Sequence, residues 1–174
     1  MELDSVDLHL LAVLQDDCRT SLTRLGEIVG LSAPAVLERV KKLEAGGVIS
    51  GYHAVLDARR LGLDVTAFIG VITSVPDRID HTEQKIGEFE DVLEVHHVTG
   101  EYSLLLKAKT ENTSSLERLI SRLRGLDGVA RTETLVVLST HTERTQIALH
   151  PAPAEGNGRR SRRPTERNGR QRRA

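Results

Sequence analysis

Residues 20–47 read TSLTRLGEIVGLSAPAVLERVKKLEAGG and place small, polar and basic side chains where they can meet a nucleic-acid duplex. Two short apolar-periodic segments flank a Gly30-Leu31-Ser32 turn. In the second, Val36, Val40 and Leu43 recur at helical spacing and set a buried direction. Pro34, Ala35, Glu38, Lys41 and Lys42 then fall on the opposite side, with Arg39 at the boundary. This is the layout of a helix-turn-helix, whose second helix enters the DNA major groove. Exposed positions near its N-terminus (Ala33, Pro34, Ala35 and Glu38) are expected to approach base edges, and the basic ones to meet phosphates. Arg39 is open to two partners, a guanine or a carboxylate. Ser32 is a helix cap and a candidate phosphate contact, as helix N-termini are. Arg19 and Thr20, ahead of the first of the two helices, are candidates for the DNA backbone. Ser50, Tyr52 and His53 follow them on an expected wing.

A second place invites chemistry. His96 and His97 are adjacent histidines on an expected strand. Neighbouring strand positions point to opposite faces, so the pair cannot chelate one ion together. We expect no metal site and no catalytic group, and give His97 a structural or effector-lining role.

The elements that must position these residues are legible. Asp4 caps a first helix to about Asp16, with Leu3, Val6, Leu10, Leu11 and Leu14 facing a core. Thr20 or Ser21 caps a second, ended by Gly30, and Ser32 caps the third, with Pro34 in its first turn. VISGYHAVLD reads as a hairpin around Ser50-Gly51, making a winged helix-turn-helix over 1–57. Residues 58–64 read as a linker with Gly62 as hinge. Over 65–150 the expected order is strand 65–74, helix 77–89, strands 92–99 and 102–109, helix 113–124, strand 129–138. That is an α+β fold, a ferredoxin-like βαββαβ unit with both helices on one face of an antiparallel sheet. Ala67, Ile69 and Val71 point one way, Phe68 and Ile72 the other, so both faces are apolar. The helices cover one, and the second calls for the same sheet of another chain, a homodimer.

Composition narrows the function class. Net charge is −1 over 174 residues, but residues 151–174 hold eight arginines against two glutamates, a net +6, which leaves −7 on residues 1–150. The tail has no apolar periodicity and is expected to be disordered. It is a candidate for non-specific DNA affinity, or simply a solvated extension. A single cysteine, Cys18, excludes an intramolecular disulfide, and its place in the sequence suggests a buried apolar filler on the first helix. No apolar run approaches a membrane span, and no secretory signal pattern opens the chain, so a cytoplasmic protein without a membrane partner is expected. With two Phe, two Tyr and no Trp, an aromatic platform for single strands is not expected.

LSAPAVLERVKKLEAGGVISGYHAVLDARRLG, then HHVTGEYSLLLKAK and GVARTETLVVL, together resemble the Lrp/AsnC family of bacterial and archaeal regulators. The likeness covers about residues 2–145. It implies an N-terminal DNA-binding domain and a C-terminal domain that dimerises, assembles further toward octamers, and often binds an amino acid between dimers. Thr99, Gly100, Glu101, Tyr102 and Ser103 resemble the family's ligand loop, and Thr132 and Thr134 alternate where they would line the same cleft with His97. Where the family often carries an aspartate this chain has Ser103, with Glu101 as the neighbouring carboxylate. The expected function is a double-stranded-DNA-binding transcriptional regulator of the nucleoid, without cofactor, gated by an amino acid or a related small molecule. Two other readings stand beside it: a nucleoid organiser of low sequence specificity, and a sirohaem-decarboxylase-like enzyme, which shares the two-domain plan.

Overall fold

The computed structural model describes residues 2–74 and 79–149. The described residues form two compact units, one of residues up to Tyr52 joined by those from Thr145, the other from His53 to Arg144. The expected disordered tail lies outside the described residues.

The first unit is three helices: α1 (Ser5–Asp16), α2 (Leu22–Val29) and α3 (Ala33–Ala45). Each starts on the residue chemistry expected of an N-cap. Asp4 accepts the Asp7 amide and Asp7 returns the bond to the Asp4 amide, a reciprocal cap. Ser21 accepts from the Arg24 amide and Ser32 from the Ala35 amide. Leu10, Leu25, Val36 and Val40 meet in the core, with Val6, Val13, Leu14 and Leu22 packed around them. Gly30 takes φ 72° and turns the chain from α2 into α3. Cys18 is exposed, beyond the end of α1 at Asp16, and not the buried filler expected of it.

The wing does not form. Residues 46–58 contain no strand. The positive φ falls at Gly47 (70°) and not at Gly51, the hairpin's intended turn. The amides of Val48 and Ile49 donate to the Leu43 carbonyl, which commits them to closing α3 and takes them out of any ladder. Val55 and Leu56 further on are exposed, so no buried face rewards pairing.

In the second unit a 3-10 turn (Arg59–Leu61), closed by Gly62 at φ 84°, leads into β1 (Val65–Thr73), α4 (Ile79–Gly87), β2 (Val92–His97), β3 (Leu104–Thr110), α5 (Thr113–Arg124) and β4 (Val129–Val136). The sheet order is β2-β3-β1-β4, antiparallel throughout. Ala67, Ile69 and Val71 of β1 and Leu104, Leu106 and Ala108 of β3 pack against Ile86 of α4 and Leu116, Leu119 and Leu123 of α5. The opposite face carries Phe68, Ile72 and, by register, Leu105 and Leu135, with Leu135 55% exposed.

Gly26 is the tightest point of the helical unit. A Cβ there would sit 2.4 Å from the Leu31 carbonyl oxygen, and the Leu31 amide donates to the Gly26 carbonyl at 2.9 Å. Both contacting groups are backbone and cannot rotate away. Gly26→Ala is therefore expected to destabilise this unit by about 1–3 kcal/mol, although alanine is the better helix former. Urea unfolding of the two proteins checks it.

Candidate DNA interface and effector loop

On α3 the buried stripe is Val36, Val40 and Leu43, as the spacing requires. Pro34, Glu38, Lys41 and Lys42 are exposed, while Ala33 and Ala35 are half-buried. Glu38 and Lys41 pair at 3.3 Å across one turn, and Lys42 has no ion pair among the described residues. Leu37, absent from the sequence reading, is 36% exposed on the flank of this band. Its signal was available, since it lies some 100° from the buried stripe on a helical wheel.

Arg39 is taken by carboxylates. Its guanidinium donates to Asp4 and Asp7, both at 2.7 Å, and so joins α3 to the capped start of α1. The Asp7 amide and then the Arg39 guanidinium hold the Asp4 carboxyl below its usual range, while Asp4 and then Asp7 push Arg39 further up. Arg19 and Thr20 sit in the turn before α2, with Arg19 exposed and Thr20 half-buried. Tyr52 donates from its hydroxyl to Glu44 at 2.9 Å and is pushed up to about 12 by burial and by that carboxylate. Ser50 and His53 are exposed.

In the second unit the loop 98–103 closes a hairpin, with the Val98 amide donating to the Ser103 carbonyl at 3.2 Å and Gly100 at φ 118°. Ser103 is already engaged: its hydroxyl accepts from the Thr73 amide (3.2 Å) and the Thr73 hydroxyl (3.0 Å). The Tyr102 ring lies over Gly70, where a Cβ would come within 2.5 Å of it. Gly70 alternates with Ile69 and Val71, so this ring lies on the open face of the sheet. Burial, then the Glu133 carboxylate, raises the Tyr102 hydroxyl.

Thr132 and Thr134 do not line that cleft. They pair with Val71 and Ile69 and so share the helix-covered face, where the Thr132 hydroxyl accepts from Arg124 Nε at 2.8 Å. Their neighbours Arg131 and Glu133 stand on the open face beside the loop, Arg131 lying 3.0 Å from Glu133 and 3.8 Å from Glu101. Sequence reasoning missed both because a one-residue choice of parity decides the face. Thr99 and Glu101 are exposed. His96 meets Glu94 at 3.2 Å on the open face, and His97 lies 3.9 Å from Glu83 of α4 on the other. No group of three or more His, Cys, Asp or Glu able to hold a metal ion occurs among the described residues.

Comparison with known proteins decides the family. Residues 3–44 match the AsnC-type helix-turn-helix domain and residues 66–147 the Lrp/AsnC ligand binding domain. The chain belongs to the Lrp/AsnC family. It is 34% identical over 152 residues to the leucine-responsive regulatory protein of Rhizobium meliloti, covering 86% of this chain and 97% of that protein. Among solved structures, Escherichia coli AsnC aligns with a TM-score of 0.79 at 29% identity, covering 84% of this chain and 99% of that one. A Neisseria meningitidis transcriptional regulator, solved as a complex with L-Met, aligns with a TM-score of 0.80 at 28% identity, over 84% and 96%. This Lrp/AsnC protein is thus a helix-turn-helix transcriptional regulator carrying a ligand-binding domain. No described helix is long and apolar enough to cross a membrane.

The Asp4 carboxyl, held down by the Asp7 amide and by Arg39, sets a pH dependence. A carboxyl with a depressed folded value contributes stability above its unfolded value, near 4, and loses it as pH falls through the lower folded value. The helical unit is expected to weaken below about pH 4. Arg39→Met should flatten that limb and lower stability at neutral pH. Chemical denaturation from pH 3 to 7 checks both.

Proposed function

We propose that this regulator reads double-stranded DNA through the exposed band of α3, as a homodimer or a higher assembly. The observation that carries this reading is the arrangement of Pro34, Glu38, Lys41 and Lys42 opposite Val36, Val40 and Leu43 on a capped helix. Pro34 and Glu38, with Leu37 beside them, face base edges. Lys41 and Lys42 meet phosphates, as do Ser32 and the α3 N-terminus, and Arg19 and Thr20 ahead of α2. Ala33 and Ala35, half-buried, allow close approach of the backbone. Arg39 holds α3 in place and does not read a base. Residues 58–64 serve as the hinge between reading head and sheet domain, and the protein works on the nucleoid in the cytoplasm.

A second chain covers the open sheet face. Phe68, Ile72, Leu105 and Leu135 make that face apolar, and two copies of the patch satisfy one another across a two-fold axis. An amino-acid zwitterion binds beside the 99–103 loop. Arg131 is the partner for its carboxylate, Glu101 and Glu133 for its ammonium, and Tyr102 forms the wall. Ser103, spent on Thr73, shapes the loop and does not contact the ligand. The L-Met complex of the Neisseria relative supports an amino acid as the ligand class. Binding then shifts the population of assemblies and with it the set of heads engaged.

Titration against DNA from upstream of its own gene, with excess unrelated competitor, tests the first claim. Lys42→Ala is expected to weaken binding evenly across sequences and to reduce the slope of log affinity against log salt by about 0.9 per engaged head. Survival of the full slope would remove Lys42 from the interface. Arg131→Gln is expected to abolish the response of DNA binding to L-methionine while leaving ligand-free DNA affinity unchanged. An unaltered response would place the effector elsewhere.

A further inference from the structure

The DNA-binding unit is short of positive charge. Residues 1–52 hold eight acidic side chains against five basic ones, a net −3. Three of the five cations are engaged: Arg39 by Asp4 and Asp7, Arg24 by Glu27, and Lys41 by Glu38. Duplex affinity rises with the number of phosphates a protein neutralises, so such a head by itself has little electrostatic hold. The densest run of cations in the chain lies far away in sequence, in the eight arginines between 159 and 173.

The fold brings residues 145–149, the described segment that precedes that run in sequence, back to the head. After the sheet domain, the described residues from Thr145 group with the helical unit. Gln15, near the end of α1, fastens them. Its side-chain NH2 donates to the Ile147 carbonyl at 3.3 Å, and its Oε1 accepts the Ile147 amide at 2.9 Å. One amide side chain thus meets both main-chain groups of one residue, as a neighbouring strand would. Gln146 adds a contact of 3.5 Å to the Gln15 carbonyl. The Ile147 side chain is 70% exposed, so hydrogen bonds and not burial of that side chain hold Ile147 in place. The clasp stands four residues before Arg19 and six before the Ser21 cap of α2, the turn assigned above to the phosphates. From Ile147 the chain reaches Arg159 within at most about 43 Å at full extension, little more than one turn of duplex.

We propose that the Gln15–Ile147 clasp tethers the arginine-rich C-terminal segment to the DNA-binding unit, where it neutralises the backbone of the duplex that α3 reads. The partner is the phosphate backbone of double-stranded DNA, and the segment supplies the charge the head lacks. Anchoring it beside α2 raises its effective concentration at that duplex. The inference rests on the reading of the helical unit as the DNA-binding head. The match to the Lrp/AsnC ligand binding domain ends at residue 147, so the arginines lie beyond it.

The test measures affinity against salt on two duplexes, the region upstream of the protein's own gene and an unrelated sequence of equal length. Four proteins are compared: the full chain, the chain ending at Leu149, and Gln15→Leu in each background. Ile147→Pro, which deletes the amide donor without touching α1, repeats the clasp variant in the full chain. Truncation is expected to lower the salt slope by several units, with a ceiling of about 7 per chain if all eight arginines meet phosphates. Near physiological salt it should weaken both duplexes on the order of 100-fold and leave their ratio unchanged. Gln15→Leu and Ile147→Pro should each cost about threefold to tenfold in the full chain, and Gln15→Leu nothing in the truncated one. An unchanged slope on truncation overturns the proposal while the α3 reading stands. Equal effects of Gln15→Leu in both backgrounds overturn the tether. Failure of the full chain to bind either duplex overturns the DNA-binding head itself.

Discussion

The reading head depends on one close approach of backbone to backbone. At Gly26 the Leu31 carbonyl fills the space a side chain would take, so α2 folds back on its own exit turn. Ten residues on, Val36 and Val40 drop into the core beside Leu25, which α2 contributes next to Gly26. That packing points Pro34, Glu38, Lys41 and Lys42 outward. The Asp4–Arg39–Asp7 bridge completes it from α1, since a guanidinium shared by two carboxylates fixes direction as well as distance. The exposed band of α3 is in this sense a by-product of what lies behind it.

The second unit obeys a different constraint, the strict two-residue alternation of an antiparallel sheet. One face closes on α4 and α5 around Ile69, Leu106, Leu119 and Leu123. The same alternation puts Phe68, Leu135, Arg131, Glu133 and the Tyr102 ring together on the face that remains. On the function proposed above, assembly and ligand recognition draw on one surface, which gives a physical route for a bound amino acid to alter the assembly. The face is not wholly apolar. Lys107 is held there between Glu94 and Glu143, and Lys109 lies 3.5 Å from Glu143. Such paired charges favour one register of approach over others.

Much of this was legible from residue order alone. Caps at Asp4, Ser21 and Ser32, the glycine stop at Gly30, and the stripe Val36-Val40-Leu43 each follow from rules acting over three or four residues, and each stands where expected. Along the sheet domain, the order of strands and helices and the buried side of β1 follow likewise from period and turn chemistry. Family membership came from three motif stretches in order, and the domain matches over residues 3–44 and 66–147 agree with it.

What sequence could not decide were choices between equal local options. Val48 and Ile49 suit a hairpin, but their amides find the Leu43 carbonyl first, and no partner strand competes. Thr132 and Arg131 are equally good strand residues; only pairing with Val71 and Ile72 assigns their faces. Arg39 had two chemically sensible partners, and the crossing of α1 with α3 supplied the carboxylates. Gln15 and Ile147 are 132 residues apart, and nothing local marks either for the other. Sequence by itself determined the elements, their caps and the family, because those depend on short-range periodicity and backbone conformation. Tertiary structure alone decided which side chains meet, because register, crossing and long-range pairing depend on contacts between residues far apart in the chain.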